Sequence, residues 1–309
     1  MAMTGVLRPG HVQIRVLDIE ESVRWYGEVL GLIETGRDKS GRVYFKCWDE
    51  RDHHSVILRK ADCAGMDYFG FKVRDVATLN RFEADLKAYG VVTERLPAGD
   101  LLETGERVRF KLPTQHVIEL YAHKKDVGNG MSYTNPDPWT KDTERGIAPT
   151  RMDHCLMFGK DIDAAGKLFE EVLGFSLVER ALLEDGKNNL GIWMTCSTKA
   201  HDFAMVRHPE DDKLHHVAFL LDSWDRVLRA ADIMSMHRTA LDLGPTRHGI
   251  TRGTTIYFFD PSGNRNETFA GGYRCFRDRP TVIWTPDQLG KAIFYHSREL
   301  NERFLTVAT

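Results

Sequence analysis

The 309-residue chain has five cysteines, and Cys47, Cys63, Cys155, Cys196 and Cys275 are odd in number, scattered, and form no C-x-x-C pair. That usage excludes a disulfide scaffold or a zinc-ribbon framework and reads as reduced thiols in a cytoplasmic protein. An excess of either charge is also missing. Lys+Arg is 42 against 45 Asp+Glu, a net charge of -3 with no long single-sign run, so no electrostatic footprint for DNA, RNA or an anionic membrane is present. No apolar run approaches the length of a membrane span, and the opening MAMTGVLRPGHVQIRVLD lacks the apolar stretch of a secretory signal. What the chain does have is 42% hydrophobic and 28% charged residues. This is enough for a sizeable core, in a length of about two modules, and excludes disorder for most of it. Thirteen histidines are a mild excess, and their placement carries the information.

Internal repetition organises the rest. HVQIRVLD followed by WYGEVLGLIET returns as HCLMFGKD followed by LFEEVLGFSLVE, with His11 to His154 and Tyr26 to Phe169 both 143 positions apart. A second pair of landmarks, Phe71 to Phe219 and Pro113 to Pro261, keeps an offset of 148. Offsets held over tens of residues argue for duplication. Each half reads as strand, helix, then several strands, twice over. His11–Leu17 alternates as a strand, Asp18 is placed to cap the following helix, and Gly31 stands where a helix-ending glycine belongs. Asp163 and Gly174 are expected to play those parts in the second half. Apolar residues at helical spacing mark Val76–Tyr89 and Ser223–Ser235, whereas Val108–Lys111, Val117–Tyr121, Thr254–Phe259 and Glu267–Ala270 read as short strands. The reading is α+β: four βαβββ-like units paired into two domains, residues 1–122 and 151–278. A Gly/Asn/Pro-rich linker spans 123–150, and a tail over 279–309 is expected to hold one amphipathic helix, roughly Thr285–Leu300. Because short consecutive strands outnumber helices, an open parallel α/β fold is disfavoured.

Three positions stand out when the halves are compared. His154 begins the first strand of the second half, His216 begins a similar strand in the next unit (HVAFLL beside HCLMFG), and Glu267 lies on that unit's last strand. Two imidazoles and one carboxylate on one rim are the ligand set of a facial triad, which suits Fe(II) because one face stays open. Spacing alone does not prove convergence, and a single histidine at a strand start is more often a hydrogen-bonded core or surface residue. The first half supplies a control. Its matching positions are His11, Tyr68 and Glu119, so a neutral phenol replaces the second histidine and that copy is one imidazole short. His216 is preferred over its neighbour His215 because His-Val-Ala-Phe aligns with His11-Val-Gln-Ile, with His215 left as the alternative. Around the carboxylate, His248, Tyr257 and Glu267 fall in one hairpin-like segment with the turn DPSG. One hairpin can thus bring a ligand and two acid/base groups to one cavity, although composition alone favours Tyr257 as a core aromatic. His201, in STKAHDFAMV, has a weakly informative context.

The run from Thr246 to Glu267 contains a His, seven residues, Ile-Tyr, two residues, Asp-Pro-Ser-Gly, three residues and Glu. This pattern is long, and it resembles the signature of extradiol ring-cleavage dioxygenases of the catechol 2,3-dioxygenase (metapyrocatechase) type, in the vicinal oxygen chelate superfamily. The resemblance covers nearly the whole chain, from RPGHVQIRVLD through RVRFKLPTQHVIELYA to WTPDQLGKAIFYH and LNERFLTV. It implies an oxidoreductase of aromatic hydrocarbon catabolism with two domains of paired βαβββ modules, the mixed sheets curled into partly closed barrels. Fe(II) would sit in the second domain only, bound by His154, His216 and Glu267, and the chain would assemble as a homotetramer.

The resemblance further implies meta cleavage of catechol or a methylcatechol by O2, giving 2-hydroxymuconate semialdehyde-type products. His201 would hydrogen-bond the activated oxygen and donate a proton; His248 and Tyr257 would hydrogen-bond the catecholate. Trp193, Ile293 and Phe304 are candidates for the apolar pocket walls, where ordinary packing is the plainer explanation. A facial triad also accepts manganese. Two alternatives stand beside this reading. One is a different enzyme on the scaffold, such as a glyoxalase-like isomerase or a dioxygenase for homoprotocatechuate, whose substrate carboxylate would want a dedicated Arg or Lys; the sequence marks none, although Arg247 and Arg252 lie near the right segment. The other is a non-catalytic small-aromatic-binding member.

Overall fold

The computed structural model describes residues 4–140 and 144–309; the first three residues, and residues 141–143 of the expected linker, lie outside the described residues. The first half runs β1 (Val6–Val16), α1 (Ile19–Arg24, continued by a π turn over Trp25–Val29), β2 (Ile33–Arg37), β3 (Val43–Lys46), β4 (Val56–Lys60), β5 (Gly65–Val73), α2 (Val76–Ala88), β6 (Thr93–Leu96), β7 (Arg107–Lys111) and β8 (Val117–Tyr121). The second half repeats the order with β9 (Arg151–Gly159), α3 (Ile162–Glu171), β10 (Ser176–Leu182), β11 (Asn189–Thr195), β12 (Phe203–Arg207), β13 (Lys213–Leu220), α4 (Trp224–Met236), β14 (Leu241–Arg247), β15 (Gly253–Phe259) and β16 (Arg265–Gly271). It closes with β17 (Val282–Trp284), α5 (Leu289–Ile293) and α6 (Glu302–Thr306). The unit βαβββ therefore occurs four times, and the fold is α+β.

The strands form two mixed sheets, eight strands in the order β2-β3-β4-β1-β5-β8-β7-β6 and nine in the order β14-β15-β16-β13-β9-β12-β11-β10-β17. In each, two units meet along one antiparallel seam, β1 with β5 and β9 with β13, while parallel pairs flank the seam. Register shifts along both seams bend the strands and help each sheet curl. The sheets share a core: Phe71 of β5 meets Phe169 and Phe175 edge-on at 5.9 and 5.3 Å between ring centroids.

Local chemistry sets the element ends. The Asp18 carboxylate accepts from the Glu21 N–H at 2.9 Å and starts α1. Gly31 has φ +83°, and a Cβ there would lie 1.8 Å from the Arg145 carbonyl oxygen, so only glycine fits. Two expectations need correction. The cap of α3 is Asp161, which accepts from the Ala164 N–H at 3.0 Å. Asp163 lies inside the first turn and binds Asn189 and Arg207 instead. The helix starts early because Ile162, its first residue, is drawn into the core. The single tail helix over about Thr285–Leu300 does not form either. β17 pairs with β10, a tight turn covers Pro286–Gln288, and α5 stops at Ile293. The carbonyls that would continue the helix are taken elsewhere: Ala292 accepts from the N–H groups of Gly249 and Ile250, and Ile293 accepts from the His248 ring. No helix among the described residues is long and apolar enough to cross a membrane.

Candidate active site

The strand register brings the three singled-out residues to one face. Ala218 of β13 lies opposite His154 of β9 on one side and opposite Glu267 of β16 on the other. His216 precedes Ala218 by two residues and so points to the same face. Candidate ligand atoms of His154, His216 and Glu267 all lie within 4.8 Å of one another, and all three residues are buried. His154 Nδ1 is 3.1 Å from Asp153 Oδ2. A carboxylate only accepts, so the hydrogen sits on Nδ1, and Nε2 turns its lone pair toward Glu267 Oε2 at 3.2 Å. His216 Nε2 is 3.1 Å from the same oxygen, yet it is a buried nitrogen without a hydrogen-bond partner. Two nitrogen lone pairs crowding one carboxylate oxygen need a cation between them, and this donor set fits a divalent metal with an open face.

Electrostatics agree with that fit. Burial outweighs the pull of Glu267 and lowers the His216 pKa to about 4, leaving a neutral imidazole. Burial alone would raise the Glu267 carboxyl, but positive charge brought by the adjoining His154 and His216 rings holds it well below the usual range, and Asp153 and Glu267 in turn outweigh burial and raise the His154 pKa. The carboxylate demands a cation, which a divalent metal would supply with both ring lone pairs turned to it. Thr255, two residues from Tyr257 on the same strand face, donates to Glu267 Oε1 at 2.5 Å and orients the carboxylate.

The remaining candidates gather around this centre. His201, in the loop before β12, lies with its ring centroid 3.9 Å from that of His154; burial and the nearby His154 push its pKa well below 6.5. Tyr257 pairs directly with Glu267 across β15 and β16. The Ile293 carbonyl fixes the hydrogen of His248 on Nδ1, so His248 Nε2 accepts from the Tyr257 hydroxyl at 2.7 Å. Burial raises the Tyr257 pKa well above 10 and keeps the phenol protonated. Trp193, Ile293 and Phe304 line the same cavity, beside Leu156 and Ile250. That cavity shares His201, Thr251 and Phe269 with an outer one of about 410 Å³. Arg247 and Arg252 line neither; both are exposed, and Arg252 stacks on Tyr273. Sequence reasoning missed Asp153, Thr255 and the Ile293 carbonyl. Adjacency to His154 and the two-residue strand period offered a signal for the first two; none existed for the third.

The first half keeps the register and changes the chemistry. His11 and Glu119 both lie opposite Gly70 of β5, with His11 Nε2 3.0 Å from Glu119 Oε2. Tyr68 donates to Gln13 at 2.7 Å. Basic side chains hold this site: Arg107 and Arg109 donate to Glu119 at 3.0 and 2.6 Å, and Lys124, whose pKa burial pushes well below 10.5, donates to His11 Nδ1 at 3.0 Å.

Comparison with known proteins gives consistent matches. Residues 66–125 match the family model described as a catechol 2,3-dioxygenase-like N-terminal domain, and residues 151–268 match that of the Glyoxalase/Bleomycin resistance protein/Dioxygenase superfamily. The chain is 53% identical, over 99% of both lengths, to a metapyrocatechase from Pseudomonas sp. (strain CF600). It is 28% identical, over 94% of both, to a manganese-dependent 2,3-dihydroxybiphenyl 1,2-dioxygenase from Geobacillus genomosp. 3. The crystal structure of the 2,3-dioxygenase LapB from Pseudomonas sp. KL28 superposes with a TM-score of 0.91 at 62% identity, covering 93% of this chain and 99% of that one.

Proposed function

Because the chain belongs to the catechol 2,3-dioxygenase family of metal-dependent extradiol dioxygenases, we propose that it opens the ring of catechol or a methylcatechol with O2, beside the two hydroxyls, giving 2-hydroxymuconate semialdehyde-type products. The observation that carries the reading is the buried convergence of two imidazole nitrogens and a carboxylate at the floor of a small apolar cavity. His154, His216 and Glu267 would hold the metal, which we propose is Fe(II). When bound, Fe(II) supplies acidity toward the catechol hydroxyls and an electron path to triplet O2 that organic side chains lack.

The chain's own residues do the rest. Trp193, Ile293 and Phe304 hold the benzene ring and keep water out, which strengthens every polar contact inside. The Tyr257 oxygen accepts from a catechol hydroxyl while its own hydrogen rests on His248 Nε2. As the substrate ionises, that hydroxyl turns to donate and steadies the developing charge. His201, neutral near pH 7, would take the proton released by an ionising catechol hydroxyl onto a ring nitrogen and return that same proton to oxygen as the O–O bond breaks. Arg247 and Arg252 do not line the inner cavity, so the homoprotocatechuate alternative finds no support in the two arginines that the sequence offered it.

We further propose that residues 1–122 and 151–278 act as an N-terminal domain without metal and a catalytic domain, joined by 123–150 and followed by the tail 279–309. A cytoplasmic homotetramer fits five free cysteines and exposed large apolar side chains such as Trp139, Phe276 and Ile283. The test is direct: aerobic addition of catechol to the Fe(II)-loaded protein near neutral pH gives a yellow product. A colourless mixture with fully metallated protein would overturn the catechol reading, and retained binding of small aromatics would then favour the non-catalytic alternative.

A further inference from the structure

We propose that His215 is a positioning residue that sets the ring of its neighbour His216, through a hydrogen-bond chain running from the Phe304 carbonyl of α6 to the candidate metal centre. The proposal rests on the reading of His216 as a metal ligand. His215 Nε2 lies 2.7 Å from the Phe304 carbonyl oxygen. A carbonyl only accepts, so Nε2 carries the hydrogen and donates. A neutral imidazole has one N–H, which makes His215 Nδ1 an acceptor. His216 Nδ1 lies 2.7 Å from it and must therefore donate. The lone pair of His216 is left on Nε2, the buried nitrogen without a hydrogen-bond partner that faces Glu267. The opposite tautomer would put a hydrogen where a metal has to bind.

The surroundings hold this arrangement in place. Phe158 and Phe304 flank the His215 ring, each with its centroid 4.7 Å away, and Arg265 donates to the His215 carbonyl at 3.4 Å. Each histidine of the triad then has an Nδ1 acceptor supplied by the residue just before it: Asp153 for His154 and His215 for His216. Partners of this kind fix the tautomer and ring orientation of metal-binding histidines. The duplicate supports the assignment. At the offset of 148, Asp67 and Tyr68 occupy the positions of His215 and His216, and Asp67 accepts from Arg59, Gln13 and Arg15 instead. The copy without the second imidazole also lacks the chain behind it. The alignment of HVAF with HCLM favoured His216 over its neighbour; the hydrogen-bond chain gives the neighbour a task of its own.

Metal affinity tests this without reliance on turnover. Metal-free wild type, His216→Ala, His215→Gln and His215→Met are titrated with Mn(II), bound ion being read from loss of the aqueous EPR signal. His216→Ala should abolish binding at the site; wild-type affinity in that variant overturns the ligand reading itself. With that reading intact, His215→Met should weaken binding about 10- to 100-fold. His215→Gln, whose amide oxygen can accept from His216 and whose NH2 can donate to Phe304, should stay within about threefold of wild type. Affinity within twofold of wild type for His215→Met, or an equal loss in both variants, overturns the chain. Should His215→Met fail to fold, 15N-histidine-labelled wild type loaded with diamagnetic Zn(II) decides the matter: the proposal requires the hydrogen of His215 on Nε2, and a hydrogen on Nδ1 overturns it.

Discussion

Replacing Glu119 by alanine separates the two halves of the molecule. Glu119 and Arg107 have fully buried side chains, Arg109 is 30% exposed, and His11 is buried on the other carboxylate contact. Breaking a buried pair by removing one partner costs about 3–5 kcal/mol, because the remaining charge stays desolvated. The low end applies, since Arg107 keeps Asp100 at 2.6 Å and Arg109 can turn toward water. A loss of about 3 kcal/mol corresponds to a fall in Tm of about 10 °C. Bound metal per chain and catechol turnover at 25 °C should be unchanged, because Glu119 belongs to the first sheet and the proposed metal ligands His154, His216 and Glu267 to the second. Calorimetry with metal analysis reads both. A Tm within 2 °C of wild type, or metal lost in parallel with stability, would refute the view that arginines and a lysine replaced the metal in this copy. The pH dependence follows from the same cluster. Burial opposes ionisation of Glu119, but His11, Arg107 and Arg109 reverse this and hold its pKa at about 2; burial and Lys124 push His11 down to about 3. Both values lie below the unfolded ones of 4.5 and 6.5. The stabilisation is therefore complete above about pH 6.5, begins to fall below it as His11 protonates in the unfolded chain only, falls further below about 4.5 as Glu119 does the same, and is lost by about pH 2. Glu119→Ala should lose stability less steeply than wild type between pH 4.5 and 2.

Other substitutions probe the candidate active site. His154→Ala and Glu267→Ala should each lose bound metal; full stoichiometric metal in either variant removes that residue from the ligand set. His201→Asn should keep metal and catechol binding while the step that consumes O2 slows by about 10²- to 10⁴-fold, the range for a lost acid/base group; normal turnover would end its proposed role. Phe203→Ala, at the aromatic junction with Phe71, Phe169 and Phe175, should cost about 3–5 kcal/mol in chemical denaturation, and a loss below 1 kcal/mol would mean that this junction is not packed as described. Chelation of the metal should lower the Tm of wild type, and metal restored in excess should return it, since ligands that bind only the folded state stabilise by mass action.

Much of this protein was legible in the residues alone because duplication wrote its architecture twice. An offset of 143 shared by His11–His154 and Tyr26–Phe169, and one of 148 shared by Phe71–Phe219 and Pro113–Pro261, identify the repeated units before any strand is paired. The same comparison reveals that Tyr68 stands where a second imidazole is needed. Alternation and capping place most elements, since side-chain period and N-cap chemistry are local. Two element boundaries that were not decided locally escaped sequence reasoning. Asp161 displaced Asp163 as the cap because burial of Ile162 drew the helix start forward, and the tail helix broke because Gly249, Ile250 and His248 compete for its last carbonyls. Convergence of His154, His216 and Glu267 depends on the register of β9, β13 and β16 around Ala218, and the role of His215 depends on a carbonyl 89 residues away. Residue types and their spacing determined which groups were available for chemistry. Only the tertiary structure decided which atoms of those groups face one another, because a lone pair acquires its direction from partners that the fold, and not the chain order, brings within hydrogen-bonding distance.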